Sequence, residues 1–159
     1  MMHVIKHILT CCCLFLLLTS CNNNDDCRVE KTVNLNIGFY TESTTSTPGL
    51  QAKTIDSISV KGLGRDSILY NNKKSIKAVQ LPLRKFYEQS DFEITFNNTK
   101  DTISVFYRNN DAYFLSLACG CIVVHEIDKI TFTQNAIKDI MLQQNMVNNI
   151  NIEHVKVIL

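Results

Sequence analysis

Polar and apolar residues take turns from Thr32 onward. Val33, Leu35, Ile37 and Phe39 alternate with Thr32, Asn34, Asn36 and Gly38, the period of two expected of a strand with one buried face. The alternation returns in Phe92, Ile94 and Phe96 with Glu93 and Thr95, in Ile103, Val105 and Tyr107, and in Ile130 and Phe132 with Thr131 and Thr133. Shorter strands are predicted at 57–60 and 67–70, on either side of a bend at Gly62-Leu63-Gly64. Another is predicted at 76–81, ending at Pro82, which has no N–H to give a ladder. Residues 113–118 and 122–124 are apolar without interruption, the pattern of strands buried near the centre of a sheet. Val155, Val157 and Leu159 close the chain. One segment fits two periods: Ile137, Ile140 and Met141 are spaced as on a helix, Ile140 and Leu142 as on a strand. Its strand neighbours favour the strand.

Between these segments lie turn signals. The pairs Asn71-Asn72, Asn97-Asn98, Asn109-Asn110 and Asn148-Asn149 separate apolar runs, and Asn tolerates turn conformations that branched residues do not. Residues 42–49 (ESTTSTPG) read as a loop, and 97–101 as a longer hairpin loop. Many short strands with turns at such spacing predict an all-β chain, a single immunoglobulin-like antiparallel β-sandwich.

The N-terminus follows another pattern. An apolar run at 8–18 comes after Lys6, His3 and His7 and leads into Leu18-Thr19-Ser20-Cys21. It is too short to span a bilayer, which takes about 20 apolar residues. It reads as a lipoprotein signal peptide with its lipobox. The Cys21 thiol takes the diacylglyceryl thioether, and the small Ser20 before it admits the peptidase. The expected organisation is a signal peptide at 1–20, a lipidated Cys21 and polar tether at 21–30, and a β-sandwich domain at 31–159. The protein is then expected in the outer membrane, held by lipid on Cys21, facing the periplasm or the surface.

Taking 20 residues from 159 leaves 139, the size of one domain. The removed part holds one Lys and no acid, so 15 basic side chains face 15 acidic ones. With no net charge and no basic cluster, nucleic acid is not an expected partner.

Cys21, Cys27, Cys119 and Cys121 remain after the leader. With Cys21 lipidated, three thiols stand in an oxidising envelope, where disulfides persist. Two readings follow. In one, Cys27 pairs with Cys119 or Cys121, pinning the N-terminal edge onto the core. In the other, Cys119, Cys121 and His125, with Cys27 in reserve, form a tetrahedral zinc site. Structural zinc sites usually space their paired cysteines by two or more residues, which favours the disulfide. His125 and His154 have no Ser or Cys in a nucleophile-elbow setting, and no hydrolase, zincin or P-loop motif occurs. The triplets Asp56-Ser57-Ile58, Asp66-Ser67-Ile68 and Asp101-Thr102-Ile103 match an O-glycosylation pattern, but chance produces such triplets readily in a β-rich chain.

From Cys27 onward the chain resembles a family of small Bacteroidota lipoproteins catalogued as a domain of unknown function. The resemblance is carried by Cys27, Leu35-Asn36-Ile37-Gly38-Phe39-Tyr40, Ile58-Ser59-Val60-Lys61-Gly62, Leu81-Pro82-Leu83, Thr102-Ile103-Ser104-Val105-Phe106-Tyr107 and His154-Val155. Its most distinctive element is Tyr113-Phe114-Leu115-Ser116-Leu117-Ala118-Cys119-Gly120. The family usually has an aromatic residue after Cys-Gly, where this chain has Cys121. The resemblance thus implies Cys119 as the partner of Cys27 and leaves Cys121 a free, largely buried thiol. It implies location and fold and brings no activity. The expected role is non-catalytic and without a cofactor: binding a protein or glycan partner, or an envelope accessory. The alternatives are a zinc module using Cys119, Cys121 and His125, and an envelope enzyme of unrecognised site.

Overall fold

The computed structural model describes residues 27–43, 49–64 and 67–159. The leader at 1–20, the lipobox with Cys21, the tether at 22–26, most of the 42–49 loop and Asp66 lie outside the described residues. Every regular element among the described residues is a strand: β1 (Asn34–Glu42), β2 (Leu50–Ala52), β3 (Ile55–Gly62), β4 (Ser67–Ile76), β5 (Ala78–Pro82), β6 (Gln89–Phe96), β7 (Thr99–Ser116), β8 (Gly120–Phe132), β9 (Asp139–Leu142), β10 (Met146–Val147) and β11 (Val155–Ile158). The chain is all-β, and the ambiguous segment around Ile140 is strand β9.

The strands form two sheets. In the five-stranded one, β1 pairs with β2 and β5 along one edge and with β11 along the other, and β9 lies beyond β11. β1 and β11 run parallel, with Ile37 opposite Val155 and Phe39 opposite Val157. The six-stranded sheet has the order β10-β8-β7-β6-β3-β4, and one of the two sheets curls into a half-barrel.

The period-two faces meet between the sheets. Leu35, Ile37 and Phe39 of β1, Val79 and Leu81 of β5, and Val155 and Val157 of β11 are buried together with Ile58, Val60, Phe92, Ile94, Phe96, Ile103, Val105 and Tyr107. Phe39 and Phe96 meet edge to face, ring centres 5.4 Å apart, a geometry contributing about 1 kcal/mol beyond the area buried.

Three local expectations are corrected. The loop after β6 is only the pair Asn97-Asn98, because Phe96 already faces Thr99 across the ladder; Asn97 takes φ 53°, the left-handed conformation a tight hairpin needs. Asn71-Asn72 and Asn109-Asn110 are not turns between strands. The first pair is the extra length of a bulge in β4 against β3, with Asn72 at φ 46°. The second precedes a register shift in β7. Asn suits both because a bulge, like a turn, needs a residue that leaves the extended region at low cost.

The third correction concerns residues 113–118. They are not central. β7 and β8 run past the opposing sheet as a long hairpin, and 113–118 form its tip, where Tyr113 and Phe114 are exposed and Leu117 is 98 % exposed. Ile122 and Val124 on β8 are buried as expected, though outside the main core cluster. An uninterrupted apolar run looks the same whether a second sheet covers it or not.

Asp101 is a buried charge with a structural task. It accepts hydrogen bonds from the Thr133 hydroxyl (2.6 Å) and from the N–H groups of Asn135 (2.9 Å), Ala136 (2.7 Å) and Ile137 (3.1 Å), clamping the loop after β8 onto the start of β7. Burial pushes its pKa up, but these four donors outweigh burial and hold it below the usual carboxylate range. Asp101→Ala strands three backbone donors near the core and is expected to cost about 3 kcal/mol or more. Urea unfolding measures this; an unchanged midpoint refutes the clamp. The Asp101-Thr102-Ile103 triplet is therefore explained by folding.

Candidate functional site

Where β1 begins, the chain before it and the loop between β10 and β11 enclose an open groove of about 280 Å³, lined by Glu30, Thr32, Asn34, Asn36, Gln80, Asn148, Asn149, Ile150 and Asn151. Strand alternation sets one wall. Leu35 and Ile37 point into the core, so Asn34 and Asn36 point outward, beside Gln80 of the neighbouring β5, which is opposite Asn36 in the ladder. The other wall is held by polar contacts. Asn36 Nδ2 donates to Asn151 Oδ1 (2.9 Å) and to the Ile152 carbonyl (2.7 Å), Gln80 Nε2 donates to Asn151 Oδ1 (3.3 Å), and Asn149 Nδ2 donates to the Glu30 carbonyl (2.9 Å).

These bonds leave a definite remainder. Because Asn36 Nδ2 faces two acceptors, its Oδ1 is fixed as the opposite atom, and that oxygen is buried with no hydrogen-bond partner. The Asn34 amide makes no side-chain hydrogen bond within the described residues. Glu30 is fully exposed, and hydrogen bonds from Thr32 hold its carboxyl below its ordinary value. The wall thus offers neutral amides, each both donor and acceptor, with one ionised carboxylate at the rim.

A second open hollow continues the groove past Asn36, Gln80 and Asn151 toward Gly38, Tyr70 and Glu153. Both Glu153 oxygens accept from the Tyr40 hydroxyl, at 3.0 and 2.9 Å. Burial and this partner raise the Tyr40 pKa, so the phenol stays a donor. Gly38 permits the arrangement, since a Cβ there would lie 1.9 Å from Glu153 Oε2. The Tyr70 hydroxyl accepts from the Gln80 N–H at 2.9 Å.

The residues singled out from the sequence lie elsewhere. Cys27 and Cys119 form a disulfide, with Cα atoms 4.8 Å apart. It joins the N-terminal stretch to the tip of the β7–β8 hairpin, not to the core. Cys121 is free, as expected, but exposed rather than buried, because it lies where the hairpin has passed beyond the opposing sheet. Cys119 therefore has no thiolate to offer a metal. His125 is buried edge-on against Tyr107, ring centres 5.0 Å apart, and its Nδ1 is 2.7 Å from Asn109 Oδ1. Among the described residues no three His, Cys, Asp or Glu side chains are grouped to hold a metal ion. Nor does any helix there have the length and apolarity to cross a membrane.

The second histidine, His154, is wholly buried and braces the groove from behind. Its ring Nδ1 accepts from the Asn36 backbone N–H (3.1 Å), and the His154 backbone N–H donates to the Asn36 carbonyl (3.0 Å). Nε2 therefore carries the hydrogen and is left without a hydrogen bond; the Met146 backbone acts on the ring electrostatically but outside hydrogen-bonding geometry.

The groove is not legible locally, because its asparagines read as strand alternation and turn punctuation. A signal was present. The outward face of β1 reads Thr32, Asn34, Asn36 where Lys or Glu is commoner on a merely solvated face, and 148–151 adds three more Asn. Nothing in the sequence joined two segments separated by more than 110 residues.

Comparison with known families matches residues 57–159 to DUF6452, a family of unknown function. The match runs from within β3 to β11 and leaves Cys27, β1 and β2 outside. No curated protein and no solved structure matches the chain.

Proposed function

We propose that this chain, which belongs to the DUF6452 family, is a non-catalytic binding module held to the outer membrane by lipid on Cys21. Its amide-lined groove takes a neutral, hydroxyl-rich ligand, a glycan segment. The observation that carries the reading is the groove wall itself: Asn34, Asn36, Gln80 and Asn151 face one space, and the buried Asn36 Oδ1 has no partner. A buried acceptor without a donor costs about 1–3 kcal/mol, so the wall holds an unmet demand for a donor at Asn36, next to the amides of Asn34 and Gln80. Neutral amides recognise hydroxyls without demanding charge. Among the described residues that line the first part of the groove, Glu30 is the sole titratable side chain, and in its continuation Glu153 is engaged by the Tyr40 hydroxyl, which speaks against paired acid–base chemistry. We infer further that the two sheets form an immunoglobulin-like sandwich, which the core shared between them supports.

A glycan array followed by calorimetric titration of the lipidated protein in detergent tests the ligand. Asn34→Ala, which removes an amide with no side-chain hydrogen bond among the described residues, is expected to weaken the best glycan at least about tenfold, the loss of one or two hydrogen bonds, with the melting temperature little changed. Equal affinity in the variant removes the groove from the binding site.

A further inference from the structure

Part of the apolar surface left uncovered among the described residues lies close to Cys27, the first of them. Tyr113, Phe114 and Leu117, at the tip of the β7–β8 hairpin, are exposed, and residues 112–124 contain no charged side chain. At the base of the overhang the 83–88 loop is tied to β7 by Asn109 Nδ2 donating to the Tyr87 carbonyl at 2.8 Å. That loop presents Phe86, 89 % exposed, next to Lys85, and Tyr87 with the Arg84 guanidinium 3.4 Å from its ring centre. Exposed aromatic and leucine side chains beside basic ones are the composition of a protein face at a membrane interface.

The disulfide supplies the geometry. Cys119 is two residues from Leu117, and it fixes Cys27 to the tip. Cys27 is six residues after Cys21, a reach of about 20 Å when fully extended. A lipid on Cys21 therefore tethers the hairpin tip, before any other part of the domain, to the bilayer surface.

We propose that the tip, through Tyr113, Phe114 and Leu117, inserts into the interfacial layer of the bilayer that holds the Cys21 lipid, so the module is docked at two points with one orientation. This rests on the lipoprotein reading. The short tether and the uncharged tip select lipid over a protein partner as the occupant.

The chain has no tryptophan, so one introduced indole reports its own surroundings. The lipidated protein carrying Leu117→Trp is reconstituted in phosphatidylethanolamine/phosphatidylglycerol vesicles, with or without brominated acyl chains. Ile68→Trp, exposed on β4 at the far edge of the six-stranded sheet, is the control. The expected result is blue-shifted emission and strong bromine quenching for Leu117→Trp, and neither for Ile68→Trp. An unquenched Leu117→Trp on a protein shown by mass spectrometry to be acylated overturns the docking alone. Equal quenching at both sites overturns it as well, since the tip is then not selected. Absence of acyl chains from the wild-type protein, or retention of labelled palmitate by Cys21→Ala, overturns the anchor reading and the docking with it.

Discussion

Cys119→Ser is expected to lower the melting temperature of the domain far more than Cys121→Ser. The Cys27–Cys119 bridge closes a loop of 92 residues, and in the chain-entropy model a loop of that length restricts the unfolded state by about 4–5 kcal/mol. For a domain of this size that corresponds to a drop in melting temperature of roughly 10–20 °C. Cys121→Ser removes an exposed thiol with no bridge and is expected to stay within about 0.5 kcal/mol of wild type. Differential scanning calorimetry of the two variants decides this, and non-reducing peptide mapping identifies the bridged pair. Equal melting temperatures would show that the bridge constrains only the overhanging hairpin and not the folding unit. Recovery of Cys27 joined to Cys121 would reassign the pair.

The second large effect is a loss of stability in mild acid, from the two buried histidines. Burial pushes His125 down to about 4, helped by the nearby Lys85 and opposed by Asp111. Burial likewise lowers His154, against the weaker influence of the Met146 backbone. Both rings are neutral in the folded protein and take up protons when it unfolds. Between about pH 6.5 and pH 4 the unfolded chain therefore binds more protons than the folded one, and stability falls as pH falls. For His125 alone the full window corresponds to about 3 kcal/mol, and His154 adds in the same direction. Asp101 acts lower: its pKa is depressed, so its contribution holds above the ordinary carboxylate value near pH 4 and is lost below it. Urea unfolding at pH 7.5 and 4.5 is expected to show a clear drop for wild type and a much smaller one for His125→Gln/His154→Gln. An identical drop in the double variant would place the acid sensitivity elsewhere.

The tautomers fix what protonation would break. Asn109 Nδ2 is committed to the Tyr87 carbonyl, so its Oδ1 faces His125 and Nδ1 carries the hydrogen. In His154, Nδ1 is committed as acceptor to the Asn36 N–H, and a proton there would eject the strand that carries the groove wall. Acid is therefore expected to disturb the groove before the core between the sheets.

Alternation of apolar and polar residues was enough to specify the strands that fill the core. Leu35, Ile37 and Phe39, or Phe92, Ile94 and Phe96, have one way to be buried in an extended chain, because a slip of one residue turns the whole face to water. The all-β class and most core positions were legible for that reason, and so was the odd number of thiols. The resemblance then named Cys119, and the structure pairs it with Cys27. Three things depended on the tertiary structure. Whether an apolar run is covered depends on where the opposing sheet ends, so residues 113–118 read as centre and stand at a tip. Whether an Asn pair is a turn or a bulge depends on the partner strand, whose register decides if the extra residue reverses the chain or only kinks it. Whether Asn34, Asn36 and Gln80 meet Asn148, Asn149 and Asn151 depends on β1 and β11 lying side by side in parallel, a pairing made across the length of the domain that no local pattern of residues encodes.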